Sequence, residues 1–149
     1  MALKPMTYTT IMPVAAQAVY QTIVSEQLKY FQYYDARITK LFPGVKVNNK
    51  VDTKIQKKDV DSTFEVVDMA TDQRFTTQLS YASGTIKTTY ELEALADGTT
   101  KVYYSELNSF NNNRMTTNFW FVGWVYTFMY RHNLKKRMQY IASLAQPAA

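Results

Sequence analysis

Cysteine is absent from the 149 residues, which excludes disulfide frameworks, thiolate metal sites and cysteine nucleophiles. Histidine occurs once, as His132, so a multi-histidine metal centre is excluded and the usual zinc clusters have no ligand set. Glycine and proline number only 4 each, too few for a low-complexity tail or a long linker. Neither a glycine-rich phosphate loop nor a Gly-x-Ser-x-Gly elbow is present, and the carboxylates show no metal-site spacing. The greasy run at 119–130 spans 12 residues, short of the roughly 18 or more that cross a bilayer. The opening residues 1–7 lack the apolar core of a signal peptide. Net charge is a modest +5, so the placement of charges matters more than their sum. The expectation is one cytoplasmic domain over residues 1–149, with no cofactor, no metal and no transmembrane segment.

What the chain does have is aromatic surface: 12 Tyr, 8 Phe and 2 Trp. Tyrosine joins a large apolar body to a polar tip, which suits pocket walls and interfaces. The periodicity changes twice along the chain. Thr7 to Met12 alternates as a strand, with Met6, Tyr8, Thr10 and Met12 on one face, and Pro13 ends it. Val14 to Val24 has helical spacing (Ala15, Val19, Ile23), and a second helical piece places Leu28, Phe31, Tyr34 and Ile38 on one face before Pro43-Gly44. From Val45 to about Phe110 the period is two. Strand patterns run over 45–56, 63–69, 74–81, 86–94 and 102–110, separated by turn chemistry at 59–62, 71–73, 82–84 and 96–99. Short spacings mean consecutive antiparallel hairpins with one solvated face. Residues 117–146 then read as one long helix, apolar all round in its first half and basic in its second.

This order of elements, together with the opening Ile11-Met12-Pro13-Val14-Ala15-Ala16-Gln17-Ala18-Val19-Tyr20-Gln21-Thr22-Ile23, resembles the START-like, or SRPBCC helix-grip, superfamily. That superfamily includes polyketide cyclases, lipid-transfer domains and birch-pollen-type allergens, and the chain looks most like a branch of small bacterial proteins of unassigned function. The resemblance implies an α+β helix-grip fold, ordered β-α-α-β(5–6)-α. A curved antiparallel sheet of six to seven strands would surround the long C-terminal helix. It also implies a cavity for an apolar ligand between sheet and helix.

The strand faces indicate which residues would line such a cavity. Phe75, Thr77, Leu79 and Tyr81 share one face, as do Thr88 and Tyr90, and Tyr104 and Glu106. A close-packed core would carry fewer hydroxyls, because each buried one needs a partner, whereas a ligand cavity uses apolar walls with a few placed polar groups. Tyrosine and threonine are also good strand formers, which alone would account for them. Glu106 on this face is either an anchor or acid in the pocket, or a strand-end residue that reaches water or a cation. His132 lies where the helix turns polar and reads as a surface or packing residue. Lys46, Lys50, Lys54 and Lys58 share one outer strand face, a solvated edge rather than a nucleic-acid patch, since no aromatics interleave.

The closing helix carries two stripes. Phe119, Val122, Tyr126, Leu134, Met138, Ile141 and Ala145 belong against the sheet. Trp120, Trp124 and Phe128 form a ridge at i, i+4, i+8 that is covered by Tyr30, Phe31, Tyr33 and Tyr34, lines a ligand entrance, forms a homodimer, or touches a membrane surface. The leading expectation is non-catalytic binding of a small, largely apolar ligand by Phe75, Thr77, Leu79, Tyr81, Thr88, Tyr90, Tyr104, Glu106, Trp124 and Phe128. The alternatives are an interaction module or homodimer using the ridge, and a cyclase- or hydrolase-like enzyme.

Overall fold

A computed structural model describes residues 5–52, 59–81, 84–110 and 134–146. Strand β1 (Met6–Met12) is followed by helix α1 (Ala16–Tyr34) and five further strands: β2 (Lys46–Asp52), β3 (Asp59–Ala70), β4 (Arg74–Tyr81), β5 (Gly84–Ala94) and β6 (Thr100–Phe110). A C-terminal helix, α2, covers 134–145. The strands form one curved sheet in the order β1-β6-β5-β4-β3-β2, antiparallel at every step. The meander therefore runs from the β2 edge to β6, which β1 flanks as the other edge, and α1 carries the chain between the two edge strands. Among the described residues no helix is long and apolar enough to cross a membrane.

The helical pieces expected at 14–24 and 28–38 join into one helix, which ends at Tyr34; residues 35–38 lie outside it, in a turn where the Ile38 N–H donates to the Asp35 carbonyl. Nothing between them breaks a helix: Ser25, Glu26 and Gln27 tolerate it, and the first Pro-Gly pair comes only at 43–44. Helix α1 has no side-chain cap at Ala15 and no acid in its first turn, so tertiary packing must hold it. Val19, Tyr20, Ile23 and Phe31 supply that packing, and Phe31 lies 5.2 Å, ring to ring, from Phe64 of β3. The junction before α1 is pinned from the far edge of the chain, where the buried Thr100 hydroxyl donates to the Val14 carbonyl at 2.7 Å.

The weak alternation of 63–69 has a structural cause. Val66 pairs with Thr77 but Asp68 pairs with Thr76, so Val67 is the extra residue of a β-bulge. Before the bulge even positions face inward (Phe64, Val66), and after it odd ones do (Met69, opposite Phe75); Val67 is left 38% exposed. The turn expected at 59–62 is instead the start of β3, with Asp61 opposite Lys50 and Asp59 opposite Asp52 in register with β2. Cross-strand pairing there overrides the turn preference of Asp and Ser.

The inner face of the sheet packs against both helices. Leu134, Met138, Ile141 and Ala145 of α2 are buried in the same cluster as Val66, Phe75, Val102 and Tyr104, while Lys135, Lys136, Gln139 and Tyr140 are exposed. This spacing is the apolar stripe expected of the second half of the closing helix. The outer face is solvated, as the alternation implied: Ile11, Glu91, Glu93 and Tyr103 are exposed, and the Tyr103 hydroxyl donates to Glu93 at 3.1 Å.

Candidate functional site

Register turns the separate strand patterns into rows across the inner face. One row runs Tyr8–Tyr104–Tyr90–Phe75–Met69, from β1 through β6, β5 and β4 to β3. The next runs Met6–Glu106–Thr88–Thr77–Val66, and the third Asn108–Ile86–Leu79–Phe64–Val47. A polar track of Glu106, Thr88 and Thr77 thus lies between an aromatic row and a mostly aliphatic one. All eight strand residues expected to line a site share this face. Phe75, Thr77, Tyr90, Tyr104 and Glu106 are buried, and Leu79, Tyr81 and Thr88 half-buried. Trp124 and Phe128 lie outside the described residues, as do Trp120 and His132.

The chemistry concentrates at β6. Tyr104 and Glu106 are two apart, so both point inward. The Tyr104 hydroxyl donates to Glu106 Oε2 at 2.8 Å, a charge-assisted bond when the carboxylate is ionised. Glu106 is only 8% exposed, so it is not the strand-end residue reaching bulk water that the sequence also allowed. The Tyr104 ring meets Tyr90 edge to face at 5.1 Å. Burial pushes the Tyr90 hydroxyl above its ordinary pKa of 10.0, and the Arg137 guanidinium, within hydrogen-bonding reach of it, pulls the other way. Burial likewise raises Tyr81. Among the described residues no fully buried side-chain nitrogen or oxygen lacks a partner, so this face holds its hydroxyls and carboxylate without orphaned groups.

Arg137 is the residue the sequence reading missed. It lies in the basic second half of the closing helix and is itself exposed, yet its guanidinium comes within reach of the Tyr90 hydroxyl. The available signal was its helical position, three after Leu134 and one before Met138, at the border of the buried stripe. A long guanidinium stem can lie along apolar surface while its head seeks a polar partner.

Among the described residues no three His, Asp or Glu converge on a metal position. The inner face offers a carboxylate acceptor, phenolic donors and a guanidinium beside apolar walls: hydrogen-bond recognition, with proton transfer as the reactive option. A separate open groove of about 370 Å³ lies between α1 and α2, beside Thr22, Glu26 and Leu144. There Thr22 donates to the Ala18 carbonyl and Glu26 pairs with Lys29, and among the described residues no buried polar pair like Tyr104–Glu106 faces it, which makes it the poorer candidate.

Known structures share this architecture. A protein of unknown function from Staphylococcus aureus, SA2116, superposes with a TM-score of 0.64 at 11% identity, over 97% of this chain and 94% of that one. Ara h 8.0201 gives 0.56 at 11% identity, over 97% and 95%. The Zhui aromatase/cyclase from Streptomyces sp. R1128 gives 0.52 at 13% identity, over 75% and 70%. At such identities the likeness is one of fold, the helix-grip arrangement. No curated protein matches the sequence. The model of a domain of unknown function, DUF3284, matches residues 6–127, which take in all six strands and α1, and the chain belongs to that family.

Proposed function

We propose that this domain binds a small, largely apolar ligand between the inner face of its sheet and its C-terminal helix, without changing it chemically. The observation that carries the reading is the Tyr104–Glu106 pair, a buried hydrogen-bonded carboxylate on the same sheet face as Tyr90, Phe75 and Leu79. A polar group costs free energy in such surroundings, and a solid core has no need of it. An apolar site with one or two convergent polar groups has that need, because they orient the ligand. On this reading Phe75, Thr77, Leu79, Tyr81, Thr88, Tyr90, Tyr104 and Glu106 form the sheet wall, and Trp124 and Phe128 belong to the helix wall.

Binding of the neutral dye Nile red tests it. The wild-type protein is expected to bind the dye with micromolar affinity and to gain thermal stability when apolar compounds displace it. Thr88→Phe, which fills the centre of the inner face, is expected to abolish both. Absence of dye binding, or binding indifferent to Thr88→Phe, refutes the site.

One observation favours a second reading. A cyclase-like enzyme requires an acid turned away from bulk solvent, and Glu106 is so turned; the fold neighbour Zhui is an aromatase/cyclase. Mass analysis of the bound compound separates the two readings. Recovery of the ligand unchanged after long incubation supports binding, and its conversion supports the enzyme.

A further inference from the structure

The two edges of the sheet are built differently. Strand β1, Met6-Thr7-Tyr8-Thr9-Thr10-Ile11-Met12, holds no charged residue and no proline, and it pairs with β6 along its whole length without a bulge. Folded proteins blunt an edge strand with lysine, proline or a bulge, because a straight neutral edge is a template for another strand. The opposite edge, β2, carries Lys46, Lys50 and Asp52. We propose that the open side of β1 is an interaction surface whose partner is β1 of a second copy of this chain, joined antiparallel about a two-fold axis.

Two turn hydrogen bonds fix which backbone groups face outward. The Leu92 N–H donates to the Gln73 carbonyl, and the Leu95 N–H to the Thr99 carbonyl. In an antiparallel ladder each residue turns its N–H and C=O to the same side, and successive residues alternate between the two neighbours. Counting from Leu92, the even residues of β5 bond to β4; counting from Leu95, its odd residues bond to odd residues of β6. The even residues of β6 are left for β1, where they meet Met6, Tyr8, Thr10 and Met12. Thr9 and Ile11 therefore direct their N–H and C=O away from the described sheet. The same counting at β2 starts from the Val66 N–H, which donates to the Val45 carbonyl. There the outward backbone groups belong to Lys46, Asn48, Lys50 and Asp52, so a second copy would meet charges along that edge.

Self-pairing suits the side chains of β1. In the register that bonds Thr9 to the second copy's Ile11, and Ile11 to its Thr9, Thr10 stands opposite Thr10 on the axis. Ile11 is 59% exposed, and its neighbour across β6 is Lys101. The pairing carries this outer row on from Lys101 and Ile11 to Thr9 and Tyr103 of the second copy, which covers the isoleucine with a methyl group and a ring. No charge within β1 opposes another across the axis. One strand pair buries less than about 1,200 Å2, the size of weak and transient contacts, so the dimer forms only at high concentration.

Sedimentation equilibrium from micromolar to submillimolar protein, together with amide hydrogen exchange, tests the proposal. The mass should climb from 17.3 kDa towards twice that value. The amides of Thr9 and Ile11 should exchange about tenfold more slowly once most of the chain is dimeric, while those of Tyr8 and Thr10 are slow throughout because β6 holds them. Thr9→Pro removes an outward N–H and no bond to β6, and Thr9→Lys places a charge on the edge; both should stay at 17.3 kDa with the circular dichroism of the wild type. A wild type that stays monomeric at every concentration overturns the proposal. So does a dimer that leaves Thr9 and Ile11 unprotected, or one that survives in a folded Thr9 variant, since it then uses another surface. The wild-type exchange comparison decides the matter even if both variants misfold.

Discussion

Tyr104→Phe removes one oxygen atom from a residue that is almost wholly buried, and leaves its ring against Tyr90. What is lost is the donor to Glu106 at 2.8 Å. Hydrogen bonds to charged groups contribute about 1.5–3 kcal/mol, and the carboxylate left short of a donor sits in a region water barely reaches. A destabilisation of about 2 kcal/mol is expected. For 149 residues this lowers Tm by roughly 6 °C near 60 °C. Urea denaturation at pH 7 should show a lower midpoint with an unchanged slope, because the surface exposed on unfolding is the same. The decisive comparison is a double-mutant cycle. In a Glu106→Met background the hydroxyl has no carboxylate to serve, so Tyr104→Phe should cost less than about 0.5 kcal/mol. An equal cost in both backgrounds refutes the pairing as a source of stability. A cost near zero in the wild-type background refutes it more directly.

Two further outcomes follow from the packing and from the tyrosine hydroxyls. Phe31→Ala empties a fully buried position between α1 and β3, and should cost about 3–5 kcal/mol by urea denaturation; a loss under 1 kcal/mol would mean that α1 does not depend on this contact. The hydroxyls of Tyr90, Tyr20 and Tyr81 have pKa values raised by burial, with Asp72 and Asp68 adding to the effect at Tyr20. Their folded state holds the proton more tightly than the unfolded chain. The stability this confers is full below about pH 10 and is lost as pH rises through the folded values. Melting curves from pH 8 to 11 should therefore fall most steeply above pH 10, and less steeply for Tyr90→Phe; identical slopes for the two proteins would count against a buried, protonated Tyr90.

Much of the inner face was legible because alternation is a local signal. Phe75, Thr77 and Leu79 fall on one side of β4 whatever that strand pairs with, and so do Tyr104 and Glu106 on β6. The break in the pattern at Val66-Val67 was visible too, although its meaning was not. Only the partner strand, with Val66 opposite Thr77 and Asp68 opposite Thr76, makes Val67 a bulge. The strand start at Asp59 was hidden for a similar reason, since Asp and Ser signal turns until β2 supplies register partners. Arg137 was hidden more deeply, because its charge suggests solvent and only the placement of α2 over the sheet brings it to Tyr90.

The sequence by itself determined the general course of the chain (strand, helical region, antiparallel meander, closing helix), the faces of the strands and the exclusion of cysteine and multi-histidine chemistry. Each of these follows from residue identity and short spacings, where backbone geometry admits few alternatives. The tertiary structure decided what depends on distant residues: one helix where two segments were expected, the bulge, and the row that sets Glu106 beside Thr88 and Thr77. Strand pairing and helix docking reward contacts among segments far apart in the chain, and no local preference encodes which carboxylate will meet which hydroxyl.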